Sequence, residues 1–277
     1  MMPNLKRLVK LLLPPLLLNI IKGNREQNTF EGVYGDFSEI PDLTAYDSDS
    51  SITDGFDEVL VKLNKHQSVQ FISSANDRSQ ITNLLPLLFA SVNHRKKSVL
   101  DYGGGLGSTY IDCLNSVNMD GVEYHIFDLP ETMEMGRKLF PDTASTSDKK
   151  SYNIDFVGNI SQVETFDIIY MGSVLQYLPD YSTVLLSLIK KKPQYFLITD
   201  NFMGDHATFA TAQVNMTRRR MAYWIFELKE IVTLFEKNNY RLQYKSTNYQ
   251  PFHNFNNFTV EYRINDSYNL LFEKLDQ

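Results

Sequence analysis

The chain is poor in several things, and each shortage excludes something. Cys113 is the only cysteine in 277 residues, so no intrachain disulfide can form and a reducing compartment fits. Positive charge is in deficit. Lys and Arg number 27 against 33 Asp and Glu, giving a net charge of -6 and a pI near 5.4. That balance argues against a nucleic-acid binder, which presents a strong basic field. The apolar run Leu11–Leu18 is broken by Pro14-Pro15 and ends at Asn19, too short to span a bilayer. No small-residue cleavage site follows it, so no secretory signal is expected. There is no internal repeat, zinc-ligand spacing, P-loop or G-x-S-x-G elbow. The dinucleotide fingerprint G-x-G-x-x-G is missing too: counted from Gly103, its third glycine falls on Ser108.

What the chain does have is enough apolar mass for a large core. Aromatic residues make up 13%, mostly Phe and Tyr, which rules out a disordered chain. A chain of this length buries roughly three quarters of its unfolded surface. Cys113 reads as a packed thiol on a helix, not a nucleophile.

The most informative stretch is Ser98-Val-Leu-Asp-Tyr-Gly-Gly-Gly-Leu-Gly-Ser108. Val99 and Leu100 end a buried-strand pattern, Asp101 stands where it stops, and Gly103, Gly104, Gly105 and Gly107 follow. Ser108 to Val117 then resumes a helical pattern. A strand, a glycine turn and a helix make the first half of a nucleotide-binding unit, where a ligand lies against bare peptide at a helix N-terminus. The next strand, Val122–Phe127, closes on Asp128-Leu129-Pro130. An acid there can accept from both ribose hydroxyls of a nucleoside, or cap the helix Glu131–Phe140.

Further on, Asn153–Phe156, Phe166–Met171 and Tyr195–Asp200 read as strands, with a helix at Tyr181–Ile189. Asp155 and Phe156 are candidates to lie by an adenine. Ser173, Gln176 and Tyr177 follow the fourth strand, at the carboxyl edge where an open parallel sheet holds ligands. His125, inside a strand, reads as structural. Residues 201–217 read as a loop, and Arg218–Arg220 after it as either an anion-binding cluster or a solvated face. Tyr223–Phe226 leads into a helix at 227–238. Tyr240–Ser246 and Phe258–Ile264 read as a closing hairpin, turned at 254–257.

Ahead of this unit, residues 1–25 carry Lys6, Arg7, Lys10, Lys22 and Arg25 with no acid before Glu26, and Leu5, Leu8, Val9 and Leu12 share one helical face. Such a basic amphipathic helix lies on an anionic membrane surface, or packs on the protein or a second copy. Residues 26–95 read as a helical cap: an ordered turn at Phe30–Phe37, an acidic loop at 42–54, and helices at Phe56–Leu63 and Ile81–Val92, the latter kinked at Pro86. The third unit, 96–277, is the nucleotide-binding domain.

The pattern Asp101-x-Gly103-x-Gly105-x-Gly107 resembles motif I of class I methyltransferases dependent on S-adenosylmethionine (SAM). More narrowly, Phe30–Asp36, Leu100–Gly107, Phe127–Pro130 and Ser173–Tyr177 are similar to a family of bacterial methyltransferase-like proteins found with surface-polysaccharide genes. The resemblance covers roughly residues 95–270, and the leucine-rich start also fits it. It implies an α/β, Rossmann-like, mostly parallel sheet of seven strands with an antiparallel edge strand and an N-terminal helical extension. It implies SAM as cofactor, held by Asp101, Gly103, Gly104, Gly105, Gly107, Asp128 and Leu129, with Asp155, Phe156, Ser173 and Gln176 alongside. The acceptor is then a saccharide or related small metabolite, and the protein cytoplasmic, with contact at the inner membrane face through 1–25. Where an arginine is expected after the fifth strand, Asp200-Asn201 stands instead. For a hydroxyl acceptor His206 is the first candidate base and His253 the second. Two rival readings are a nicotinamide-dependent oxidoreductase and a non-catalytic, membrane-attached relative.

Overall fold

The computed structural model describes residues 28–44, 48–67, 84–92, 97–140, 152–163, 165–215, 219–249, 255–264 and 266–276. The basic stretch 1–25, the start of the helix expected at Ile81–Val92 and the turn residue at 254 lie outside these residues, as do Arg218 and His253.

Among the described residues are ten strands and six α-helices. The strands are β1 (Phe30–Tyr34), β2 (Lys97–Tyr102), β3 (Val122–Phe127), β4 (Ile154–Phe156), β5 (Ile168–Gly172), β6 (Tyr195–Gly204), β7 (Phe209–Gln213), β8 (Met221–Glu227), β9 (Tyr240–Tyr249) and β10 (Asp266–Lys274). The helices are α1 (Ser48–Gln67), α2 (Leu85–Ser91), α3 (Ser108–Ser116), α4 (Pro130–Leu139), α5 (Tyr181–Ile189) and α6 (Leu228–Glu236).

Strands β4-β3-β2-β5-β6 lie side by side and parallel. β10 runs antiparallel to β6, and β9 antiparallel to β10, forming the edge. Residue alternation explains why the middle strands are apolar throughout. Ile168 and Tyr170 of β5 pack with α1 to α4, whereas Ile169 and Met171 pack with α5 and α6. Helices thus cover both faces. Local chemistry sets their ends: Pro130 opens α4, Arg137 and Lys138 sit in its last turn, and the Asp180 carboxylate accepts from the Thr183 N–H at 3.1 Å to cap α5.

Three more strands extend this sheet. The last residues of β6 pair in parallel with β8 (Met203 with Phe226, Gly204 with Glu227), β8 pairs antiparallel with β7, and β7 with β1. An aromatic cluster of Phe30, Phe202, Phe209, Tyr223, Phe255 and Phe258 fills one side of it.

Four expectations are corrected by the structure. The string Phe30–Phe37 is a strand followed by a 3-10 turn at Phe37–Glu39, so 26–95 is not wholly helical. Residues 201–217, read as a loop, contain the end of β6 and all of β7. Val260–Tyr262 is a 3-10 turn beside the aromatic cluster, and the final strand comes later at β10. Pro86 stands in the first turn of α2, where its missing N–H costs nothing, and does not kink it.

Helix α1 lies over the nucleotide-binding half. Val59 and Leu63 are buried with Leu106 and Tyr110, and the Lys62 ammonium donates to Ser108 Oγ at 2.6 Å and Asp112 Oδ2 at 3.1 Å. Among the described residues, no helix is long and apolar enough to cross a membrane.

On the opposite face, the rings of Phe235 and Phe272 stack at 3.9 Å and 7°, both fully buried. Phe235→Ala is predicted to lower the unfolding free energy by about 3–5 kcal/mol, read by urea denaturation. A loss below about 1 kcal/mol would show that this face is not a packed core.

Candidate functional site

The carboxyl ends of β2, β3 and β5 open into a cavity of about 880 Å³. Its floor is the glycine turn. Asp101, the last buried residue of β2, is 1% exposed and accepts from the Tyr124 hydroxyl at 2.7 Å. Its carboxylate lies directly beneath Gly104: a Cβ there would come within 2.6 Å of Asp101 Cγ, so any side chain at 104 collides with it. Gly105, at φ +58°, faces the other way, and a Cβ there would have nothing within 4 Å. The turn therefore presents bare backbone toward open space, held up from below by a carboxylate. Burial raises the Asp101 pKa to about 7, against the opposing pull of the Tyr124 hydrogen bond, with the Asp128 charge adding to the rise.

Asp128 stands at the tip of β3. Its two oxygens accept from the Gly105 N–H at 2.9 Å and the Leu129 N–H at 2.7 Å, which fixes the carboxylate at the cavity wall. Gly103 donates to the Phe127 carbonyl at 2.7 Å, tying the two strand ends together. Ser173, just past β5, adopts φ +53°, a left-handed conformation that side chains rarely take. Its N–H donates to the Thr199 carbonyl at 3.0 Å and its Oγ accepts from Gln176 Nε2 at 2.9 Å. Gln176 is buried, and its Oε1 has no partner in the described structure.

Gly103, Gly104, Gly105, Asp128, Leu129 and Ser173 all line the cavity. Asp101 and Gly107 support it from beneath, Gly107 as the residue before α3. Other candidates stand elsewhere. Phe156 is buried in the core against Phe140, and Asp155 points outward, 3.9 Å from His125 Nδ1. Adjacent strand residues face opposite ways, and neither of these faces the cavity. His125 is half-buried, as a structural residue would be, and burial lowers its pKa.

His206 is also outside the cavity lining. It sits in the bend between β6 and β7, with Nδ1 against the Ala207 carbonyl at 2.9 Å and its ring edge-on to Phe209 at 5.1 Å. Asp200 and Asn201 are taken up by the sheet: Asp200 Oδ1 accepts from the Ser267 hydroxyl at 2.8 Å, and Asn201 is fully buried.

Other lining residues escaped the sequence reading. Tyr102 and Phe127, their rings 5.2 Å apart, each immediately neighbour a residue that was recognised, and that adjacency was the available signal. Phe37, Leu43, Gly55 and Glu58 reach the cavity from the cap, and Met221 and Ala222 from the start of β8; nothing local in the sequence marks these. Arg219, of the Arg218–Arg220 run read as an anion-binding cluster or a solvated face, also lines the cavity. Among the described residues, no group of three or more His, Cys, Asp or Glu is arranged to hold a metal ion.

Residues 74–245, more than half of the chain, match the family model described as methyltransferase domain. The chain belongs to the methyltransferase-domain family. Its membership sets the nicotinamide alternative aside, and its fold is that of SAM-dependent methyltransferases. A SAM-dependent methyltransferase from Methanosarcina mazei is 14% identical, with a TM-score of 0.50 over 69% of this chain and 98% of that one. The 1,6-didemethyltoxoflavin-N1-methyltransferase of Burkholderia thailandensis, solved with S-adenosylhomocysteine, is 16% identical with a TM-score of 0.49 over 84% and 92%. The magnesium protoporphyrin IX methyltransferase of Synechocystis PCC 6803, solved with SAM, is 12% identical with a TM-score of 0.46 over 80% and 83%. No curated protein matches the sequence.

The buried acid of this methyltransferase carries a pH signature. The folded-state pKa of Asp101, about 7, lies above the ordinary 3.8, so folding takes up a proton between those values. The resulting stability is complete below the lower value and is lost as pH rises through the upper one. The melting temperature of the wild type minus that of Asp101→Asn is predicted to fall from about pH 4 to about pH 8, measured by circular dichroism. A difference that stays flat or grows would contradict the protonated, buried state.

Proposed function

We propose that this methyltransferase holds SAM in the cavity at the ends of β2, β3 and β5 and transfers its methyl group to a small acceptor, a saccharide or related metabolite. One observation carries the cofactor half of this reading. The bare peptide of Gly104 and Gly105 faces open space between a buried carboxylate and the Asp128 carboxylate. A ligand with a zwitterionic end and a ribose needs donors and acceptors spaced in this way.

In this reading Asp128 accepts from the ribose hydroxyls, and Gly103–Gly105 with Ser173 bracket the amino-acid end. Tyr102 and Phe127 offer aromatic faces nearby. Asp101 acts as a positioning residue: it keeps the turn in shape from below. SAM, when bound, supplies an electrophilic methyl group on a sulfonium. The chain's own contribution is alignment of the acceptor and exclusion of water, which the cap residues Phe37, Leu43 and Glu58 promote from above. No histidine lines the cavity among the described residues, which counts against His206 as the base.

The saccharide half is supported by the short strings Phe30–Asp36 and Ser173–Tyr177, similar to proteins found with surface-polysaccharide genes. Contact of residues 1–25 with an anionic membrane face is proposed from their charge pattern alone.

Asp128→Ala tests the cofactor assignment. Loss of hydrogen bonds to a carboxylate costs about 1.5–3 kcal/mol, so affinity for S-adenosylhomocysteine is predicted to weaken roughly 10- to 100-fold by calorimetry. Affinity equal to that of the wild type would remove Asp128 from the cofactor site.

A further inference from the structure

At about 880 Å³ the cavity stands near the upper end of the roughly 300–1,000 Å³ usual for small-molecule sites, and its wall divides in two. The glycine turn, Asp128 and Ser173 form one part. The other, built by elements outside the core sheet, includes Leu43, Leu178, Pro179, Arg219, Met221 and Ala222. Three charged residues line the whole cavity among the described residues: Glu58, Asp128 and Arg219. Arg219 is the one cation of these three, on a wall that is otherwise mostly apolar.

Its neighbour fixes where it stands. Arg220 pairs with Glu31 at 2.8 Å and donates to the Pro41 carbonyl at 2.9 Å. Its N–H donates to Thr44 Oγ1 at 2.9 Å, and its carbonyl accepts from the Thr44 N–H at 3.0 Å. These contacts lock residues 41–44 against the approach to β8. Leu43 and Arg219 are thereby set on the same cavity wall. A guanidinium stays charged at all physiological pH values and presents a planar fork that matches carboxylate and phosphate. Apolar surroundings strengthen such a pair by lowering the local dielectric.

We infer that the methyl acceptor carries an anionic group, carboxylate or phosphate, that Arg219 binds, while the acceptor's body lies on Leu43, Leu178, Pro179 and Met221. This rests on the reading that the glycine turn holds SAM. Arg219 is then the residue that selects charged over neutral acceptors.

The test uses the full chain saturated with S-adenosylhomocysteine. Titration of that compound comes first; its failure would fall on the cofactor reading. Calorimetry or ligand-observed NMR then compares glucuronate and glucose 1-phosphate with glucose, and 4-hydroxybenzoate with 4-hydroxybenzyl alcohol. At least one anionic probe is expected to bind about tenfold or more tightly than its neutral counterpart. The probe that does so separates carboxylate from phosphate and sugar from aromatic ring. Arg219→Gln should abolish the preference and Arg219→Lys retain part of it, both with S-adenosylhomocysteine affinity unchanged. If the wild type binds S-adenosylhomocysteine but shows no anionic preference, the inference fails. It fails equally if the preference survives in Arg219→Gln.

Discussion

A carboxylate with almost no water around it is the constraint on which the site depends. Asp101 lies near the end of the central strand of a parallel sheet, 1% exposed, with the Tyr124 hydroxyl as its hydrogen-bond partner. A buried acid is costly unless it is hydrogen-bonded or protonated; here the Tyr124 hydroxyl donates to it and burial raises its pKa to about 7. Its bulk occupies the space in which a side chain at position 104 would have to sit. The chain can therefore cross above Asp101 only as bare peptide. From that single collision follow the turn's shape, its exposure toward the cavity and the N–H contact of Gly105 with Asp128.

The sheet does the rest of the positioning. Because β2, β3 and β5 are parallel and neighbours, their carboxyl ends meet at one edge, and the turns after them share one cavity. Helix α1, pinned through Lys62 to α3, roofs the glycine turn. The added strands β8, β7 and β1 extend the sheet past the end of β6, and the start of β8 adds Met221 and Ala222 to the cavity wall.

The core was legible in the sequence because its signals are local. Val122–Phe127 alternates, the β5 strand is a short apolar run, and the glycine turn sits between a strand and a helix. The added sheet was not legible, since its pairing joins residues 30–34 to 210–213 and neither segment announces a partner so distant. Gly32 and Gly35 made β1 look like a turn. Alternation of apolar and polar residues over Phe258–Ile264 suggested a strand, yet Phe258, Tyr262 and Ile264 join an aromatic cluster instead of a ladder. Conversely, Leu270-Leu271 in β10 breaks alternation because β10 lies between β6 and β9 and is covered on both faces. His206 attracted attention only as a histidine in a supposed loop; once β7 forms, its ring packs against Phe209.

The central claim is that the peptide above Asp101 and the carboxylate of Asp128 grip the cofactor. Amide hydrogen exchange of the full chain with and without S-adenosylhomocysteine tests it most directly. Exchange at residues 102–108 and 127–130 is predicted to slow on addition of the compound, with the Phe235 region unchanged. Exchange at both segments that does not respond to a saturating concentration would contradict the account.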